Sequence, residues 1–300
     1  MKLIGLTAWF DEPVDALLRC IDAMAAAGVD HIVAMDGRYA LYPADHDVSA
    51  PNEYAAILMS CRALGMACTI HQPAGPWEDG EVEKRTALFA LGLSVAGDGD
   101  WFWVQDADQI VTKVPADLKV RLRDSARDVA EVTILDAVAL RANQKDWPAE
   151  FAMRALFRAR PITVGPSHCM YNAPDGSLLW GYDGDKRMQE ALDLTDVVLV
   201  EHHPDRRSHD RQHAKLMYYA KRDAARIERG RCEMCHDAST GLQPVRWRMT
   251  ELGPTADWME CCDDHAETVR MVNEIELRKL GIEPSSVVLE NRNGRAPERI

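Results

Sequence analysis

Residues 101–110 read WFWVQDADQI. Trp101, Phe102, Trp103 and Val104 suit a strand buried on both faces, and the run passes directly into Asp106 and Asp108, one alanine apart. Open parallel sheets bind their ligands outside the carboxyl ends of the strands. The two acids therefore fall where such a fold keeps its chemistry. Spacing alone does not select them, because the chain has four such pairs: Asp45/Asp47, Asp98/Asp100, Asp106/Asp108 and Asp183/Asp185. Only Asp106/Asp108 follows an apolar strand without a break. Two carboxylates so placed can share one hard cation, Mg²⁺ or Mn²⁺, which takes oxygen ligands together with phosphate oxygens.

Around this stretch, strand and helix signals alternate. Residues 2–8 form a short apolar run closed by Trp9, Asp11, Glu12 and Pro13. Val14, Leu17, Leu18, Ile21 and Met24 then recur at helical steps, with Pro13 suited to the first turn and Gly28 to the stop. Residues 31–35 read as a strand ending at Asp36, 52–64 as a helix, 67–70 as a strand and 81–96 as a helix that delivers the chain to Trp101. Such alternation predicts an α/β fold with a mostly parallel central sheet. Further on the alternation loosens, and apolar runs at 129–140, 151–157, 161–171 and 194–200 read as strands of a mixed sheet, with a helix near 185–193 and a long polar helix over 209–229.

Three hundred residues, 47% of them hydrophobic, suffice for one sizeable core and an appendage. The net charge of −13 disfavours a protein whose main task is to grip nucleic acid. No run approaches eighteen apolar residues, and the opening MKLIGLTAWFDEP turns acidic too soon for a signal peptide. A cytoplasmic protein with no membrane contact is expected.

The order of parts resembles the GT-A-fold glycosyltransferases of the family 2 type. The segment EKRTALFALGLSVAGDGDWFWVQDAD (83–108) carries the resemblance most specifically, and it extends loosely over about 1–225. Phe89 departs from the pattern, standing where the family commonly has Asn. The resemblance implies that Trp9, Asp11, Glu12 and Asp36 hold the nucleotide base and ribose. It implies that Lys84 and Arg85 line the nucleotide pocket, and that Asp106 and Asp108 hold the metal on the diphosphate. Read simply as residues, Asp36 also suits a turn before Gly37, and Lys84 and Arg85 also suit a solvated helix face.

LLWGYDGDKRMQEAL (178–192) is similar to the family's acceptor-side segment, which makes Asp183 or Asp185 the candidate general base for an inverting transfer. Asp185 equally suits a helix N-cap. The resemblance also places a late histidine on the metal, His202 or His203. Neighbouring strand residues face opposite ways, so at most one can serve. Between Glu201 and Arg231 there are nine Lys/Arg against five Asp/Glu. From that basic stretch Arg206, Arg207 and Arg211 could close over the diphosphate, since planar guanidinium groups suit phosphate oxygens.

Of eight cysteines, Cys20, Cys61, Cys68 and Cys169 are scattered and read as small core residues. The rest cluster: Cys232 and Cys235, then twenty-six residues, then Cys262 and His265. Two such pairs close a tetrahedral structural Zn²⁺ site, with Cys261 and His236 near enough to substitute. Division into a catalytic domain, 1–230, and a zinc-binding module, 231–300, is expected. Residues 226–300 hold eleven Lys/Arg against fourteen Asp/Glu, a poor footprint for DNA contact. The reading is a metal-dependent, inverting glycosyltransferase using a nucleotide-diphosphate sugar, with a small-molecule, glycan or protein acceptor. A DNA-modifying glycosyltransferase acting on hydroxylated bases and a catalytically silent binding or assembly protein of the same fold are the alternatives.

Overall fold

The computed structural model describes residues 1–136, 150–165, 170–181 and 187–203, residues 214–215 and 218, and four strands nearer the C-terminus. The chain separates into two compact units, Met1–Met217 and Tyr218–Ile300. The division expected near 230 falls outside the described residues. Among those described, no helix is long and apolar enough to cross a membrane.

The first unit is α/β. Its N-terminal half runs β1 (Leu3–Ala8), α1 (Val14–Ala26), β2 (His31–Met35), α2 (Pro51–Ala63), β3 (Ala67–His71), α3 (Glu81–Val95) and β4 (Trp101–Val104). There follow β5 (Gln109–Lys113), α4 (Leu118–Asp124), β6 (Val129–Asp136), β7 (Glu150–Arg158) and, later, β12 (Leu199–His202). These strands form one sheet in the order β3-β2-β1-β4-β7-β6-β12-β5, and β11 (Leu192–Asp193) adds to β6. The strands from β3 to β4 are parallel, whereas β7 runs antiparallel to both neighbours and β5 antiparallel to β12. The sheet is therefore mixed, with five of its eight strand pairings parallel and the antiparallel ones confined to the later strands, as expected.

The alternation of β4 divides the core. Trp101 and Trp103 point into a cluster with Leu17, Ile21 and Met24 of α1 and Ile57 and Cys61 of α2. Phe102 points the other way, into a cluster with Leu88 and Phe89 of α3 and Phe157 of β7. All three aromatic residues of β4 are fully buried. Phe89, the departure from the family pattern, sits edge-on to Phe157 at 6.1 Å and to Tyr171 at 5.1 Å. Its ring fills this second core, where a polar side chain would need a partner.

Several local expectations are revised. Residues 187–193 are not helical: Gln189 N donates to Leu178 O at 2.9 Å and Leu192 pairs with Ala130, so tertiary pairing overrides helical spacing. The run 161–171 yields two short strands, β8 (Thr163–Val164) and β9 (Tyr171–Asn172), which join β10 (Leu178–Trp180) in a separate sheet. Within 194–200, Val197 N and Val198 N both turn back to Leu194 O, which delays the strand until Leu199. Most of the helix expected over 209–229 lies outside the described residues.

In the second unit, β13 (Gln243–Arg248) and β14 (Ala256–Cys261) form an antiparallel pair in which Gln243 stands opposite Cys261. A second pair joins β15 (Val288–Leu289) to β16 (Glu298–Arg299).

Gly92 lets α3 lie close on β1 and β4, since a Cβ there would meet Leu6 Cδ2 at 2.8 Å and Phe102 Cε1 at 3.2 Å. Gly92→Val should lower the unfolding free energy by ~2 kcal/mol through overpacking. Urea denaturation of the two proteins checks this, and an unchanged midpoint would contradict the packing described.

Candidate functional site

The chain reverses its direction of travel across the sheet at β1. From β1 it steps outward to β2 and β3 with α1 and α2 on one face, then returns through α3 on the other face to β4 on the opposite flank of β1. Right-handed crossovers oblige this change of face, and it leaves a crevice beyond the carboxyl ends of β1 and β4. Trp9 to Glu12 leave β1 at that edge, Asp36 and Gly37 leave β2, and Gln105 to Asp108 leave β4.

Lys84 ties this edge together from α3. It is 2% exposed, and its Nζ donates to Trp9 O at 2.6 Å and Gly37 O at 2.8 Å, with the Tyr39 ring 5.5 Å away. Asp36 is fully buried, and its carboxylate accepts four hydrogen bonds: Oδ1 from Gly37 N and Ser49 Oγ, Oδ2 from Ser49 N and Gln72 Nε2. Both residues act here by fixing loops; neither is a solvated face or a loose turn. Gly37 has φ +105°, and a Cβ there would stand 2.5 Å from Pro73 Cγ, so only glycine fits.

The 37–50 loop brings further groups to the edge. Asp11 occupies the left-handed region at φ +50°, donates its N–H to Ser49 Oγ at 2.9 Å, and faces His46 Nε2 at 3.0 Å. Hydrogen bonds that the ring can donate to Asp11 and then to Asp45 raise the His46 pKa. Glu53, in the first turn of α2, accepts from Glu12 N at 3.1 Å. Burial, and after it the Asp11 carboxylate, push the Glu53 pKa up to about 7. A cleft of about 490 Å³ opens beside this cluster, lined by residues 48–51 with His46, Tyr54 and Gln72. Its volume falls within the range of small-molecule sites.

At the end of β4 the two acids have different partners. Asp106, 36% exposed in its side chain, receives Arg85 Nη2 at 3.0 Å on both oxygens, while the same guanidinium contacts Glu81 Oε1 at 3.1 Å. Asp108 is buried, and its Oδ2 lies 3.3 Å from His202 Nε2. The other ring nitrogen of His202 lies 3.2 Å from Asp136 Oδ2. Burial alone would lower the His202 pKa, but hydrogen bonds and charge from Asp108 and then Asp136 more than reverse this and raise it. His203 turns elsewhere, to Glu201 Oε2 at 2.9 Å, while its backbone N–H binds Asp108 O. Beneath the pair, burial pushes the Cys20 thiol up to about 12, leaving it an inert core group.

Carboxylates with one imidazole form a donor set suited to Mn²⁺ or a similar divalent ion. Among the described residues no three such groups already enclose one point. Arg85 and His202 instead neutralise the acids from within. Binding of an ion would require Asp106 to part from Arg85 and His202 to present an unprotonated Nε2. Asp183, Asp185, Arg206, Arg207, Arg211, Cys232, Cys235, His236, Cys262 and His265 lie outside the described residues.

Asp136, His46, Glu53, Ser49 and Gln72 escaped the sequence reading. Asp136 carried a usable signal, because it closes the apolar run VAEVTIL much as Asp106 follows β4. His46 sat inside the Asp45/Asp47 pair, which was set aside for lack of a preceding strand. Glu53 carried no signal beyond its place in a first helical turn. In comparisons with known proteins, no family model matches the chain and no curated protein matches it.

Glu53 has a folded pKa above its ordinary value, so its contribution favours folding at low pH and is lost as pH rises from 4.5 through about 7. Glu53→Gln should therefore match wild type in urea midpoint at pH 4 and exceed it at pH 8. A difference that does not change with pH would contradict this.

Proposed function

We propose that the chain transfers a sugar from a nucleotide-diphosphate donor to an acceptor hydroxyl, with a divalent cation at Asp106, Asp108 and His202. One observation carries the reading. The histidine at the end of β12 meets Asp108, the second acid of the D-x-D pair after β4, beside the crevice where the sheet changes direction, although 94 positions separate His202 from Asp108. The strand-end acids and the order of the first four strands support it further.

In this reading the cleft beside Asp36 takes the base and ribose, and Asp11 is bonded to two of its lining residues, His46 and Ser49. Lys84 sets the distance between the β1 and β2 loops that form its rim. Asp136 orients His202 by holding Nδ1, which leaves Nε2 toward Asp108. A divalent cation bound here would neutralise the charge growing on the departing diphosphate. Asp183 or Asp185 is assigned the acceptor proton on the strength of the resemblance, and Arg206, Arg207 and Arg211 a place over the phosphates. The acceptor is expected to be a small molecule, glycan or protein, given the acidic chain.

Calorimetry with UDP and GDP tests the donor site. Binding should be weak without metal, strengthen at least about tenfold with Mn²⁺, and lose that gain in Asp108→Ala. Equal, metal-independent affinity in both proteins would sink the proposal.

The C-terminal unit is proposed to hold one structural zinc on Cys232, Cys235, Cys262 and His265. The β13–β14 pairing supports this: Gln243 stands opposite Cys261, so the chain enters and leaves the hairpin at the same end, with one ligand pair before it and one after. Elemental analysis after dialysis against a mild chelator should find one zinc per chain, and Cys235→Ser should remove it. Zinc-free protein from a reducing preparation would end the claim.

A further inference from the structure

We propose that Arg85 is the built-in counter-ion of the D-x-D pair: it holds Asp106 while the site is empty of metal, yields it to an arriving divalent cation, and is thereby released toward the donor's phosphates. The inference rests on the nucleotide-sugar reading above and gives Arg85 a place in its order of binding.

Three features of the geometry lead to it. Arg85 Nη2 lies 3.0 Å from both Asp106 oxygens, the same lone pairs a cation would need, so the two must compete. Asp106 is 36% exposed in its side chain, within reach of an ion from solvent, whereas Arg85 is only 10% exposed. The guanidinium also has a second hold: Nε and Nη2 lie 3.2 and 3.1 Å from Glu81 Oε1, on the same helix. When Asp106 is taken by a metal, Arg85 keeps that carboxylate and is not left as an uncompensated buried charge, the outcome that makes breaking such pairs costly. Its remaining donors, in a planar fork, then match phosphate oxygens at the same crevice.

A merely structural arginine and a competing one make opposite predictions for metal affinity. Mn²⁺ binding to the full chain can be followed by the paramagnetic resonance signal of the free ion, in wild type, Arg85→Gln, Arg85→Lys and Asp106→Asn. Wild type should show a site that Asp106→Asn abolishes. Arg85→Gln should bind Mn²⁺ roughly tenfold more tightly, and its affinity for UDP or GDP in saturating Mn²⁺ should fall by a similar factor. Arg85→Lys retains the charge but not the fork and should fall between the two, which keeps the test open if the Gln variant does not fold. Should both Arg85 variants bind Mn²⁺ no more tightly than wild type, with the Asp106-dependent site intact, this inference is overturned and the glycosyltransferase reading stands. Absence of any Asp106-dependent Mn²⁺ site in all four proteins would overturn both.

Discussion

The carboxyl edge of this sheet depends on a buried ammonium. A lysine charge withdrawn from water must find acceptors, and Lys84 finds them in two backbone carbonyls, Trp9 O and Gly37 O, at the ends of neighbouring parallel strands. Those carbonyls point beyond the sheet, where strand pairing no longer satisfies them. One side chain from α3 thus meets the needs of two loop ends and fixes their separation. Asp36 repeats the device with opposite charge. Its four acceptor contacts gather Gly37, Ser49 and Gln72 around one carboxylate, so the 37–50 loop is anchored at both ends. The rim of the crevice is therefore set by charge satisfaction, while the apolar contacts of β4 secure the sheet behind it.

The same edge concentrates acids: Asp11, Glu12, Asp36, Glu53, Asp106, Asp108 and Asp136. Each is answered differently. Asp36 is met by neutral donors, Asp106 by a guanidinium, Asp108 and Asp136 by one imidazole between them, and Glu53 by retaining a proton to higher pH than a carboxyl usually does. The acids of this single edge thus differ in partner and in exposure. Asp106 is the more accessible of the D-x-D pair and Asp108 the better sheltered, so a cation arriving from solvent would meet Asp106 first.

Much of the N-terminal half was legible because its signals are local. Helical spacing after Pro13, the apolar run of β4 and the acids that close it all act within a few residues, and the corresponding elements begin and end close to where the sequence places them. The mixed half was less legible, since there the pairing partner decides. Residues 187–193 have the local look of a helix but pair with Leu178 and with β6, and β7 inserts antiparallel between β4 and β6 on no signal of its own. In the candidate site, D-x-D and Lys84 could be singled out by context. The partners of Asp36 and the position of Glu53 could not, because they arise from where α2 and the 37–50 loop come to rest.

The late insertion of β12 into the sheet has a consequence in time. Synthesis proceeds from the N-terminus, and the parallel strands β1 to β4 with their three helices are complete before residue 105 has been passed. At that stage the acids that follow β4 have emerged, yet His202 and the strand that carries it have not, and Asp136 arrives between them. These elements belong to a compact unit that extends to Met217, so its sheet is completed only when the later strands arrive. The loop from Asp108 to His202 must close afterwards, at an entropic cost that rises only slowly with its length. During synthesis Arg85, only some twenty positions before Asp106, is the one partner already at hand for that acid. A short-range ion pair thus guards the acidic edge until the distant strand is added.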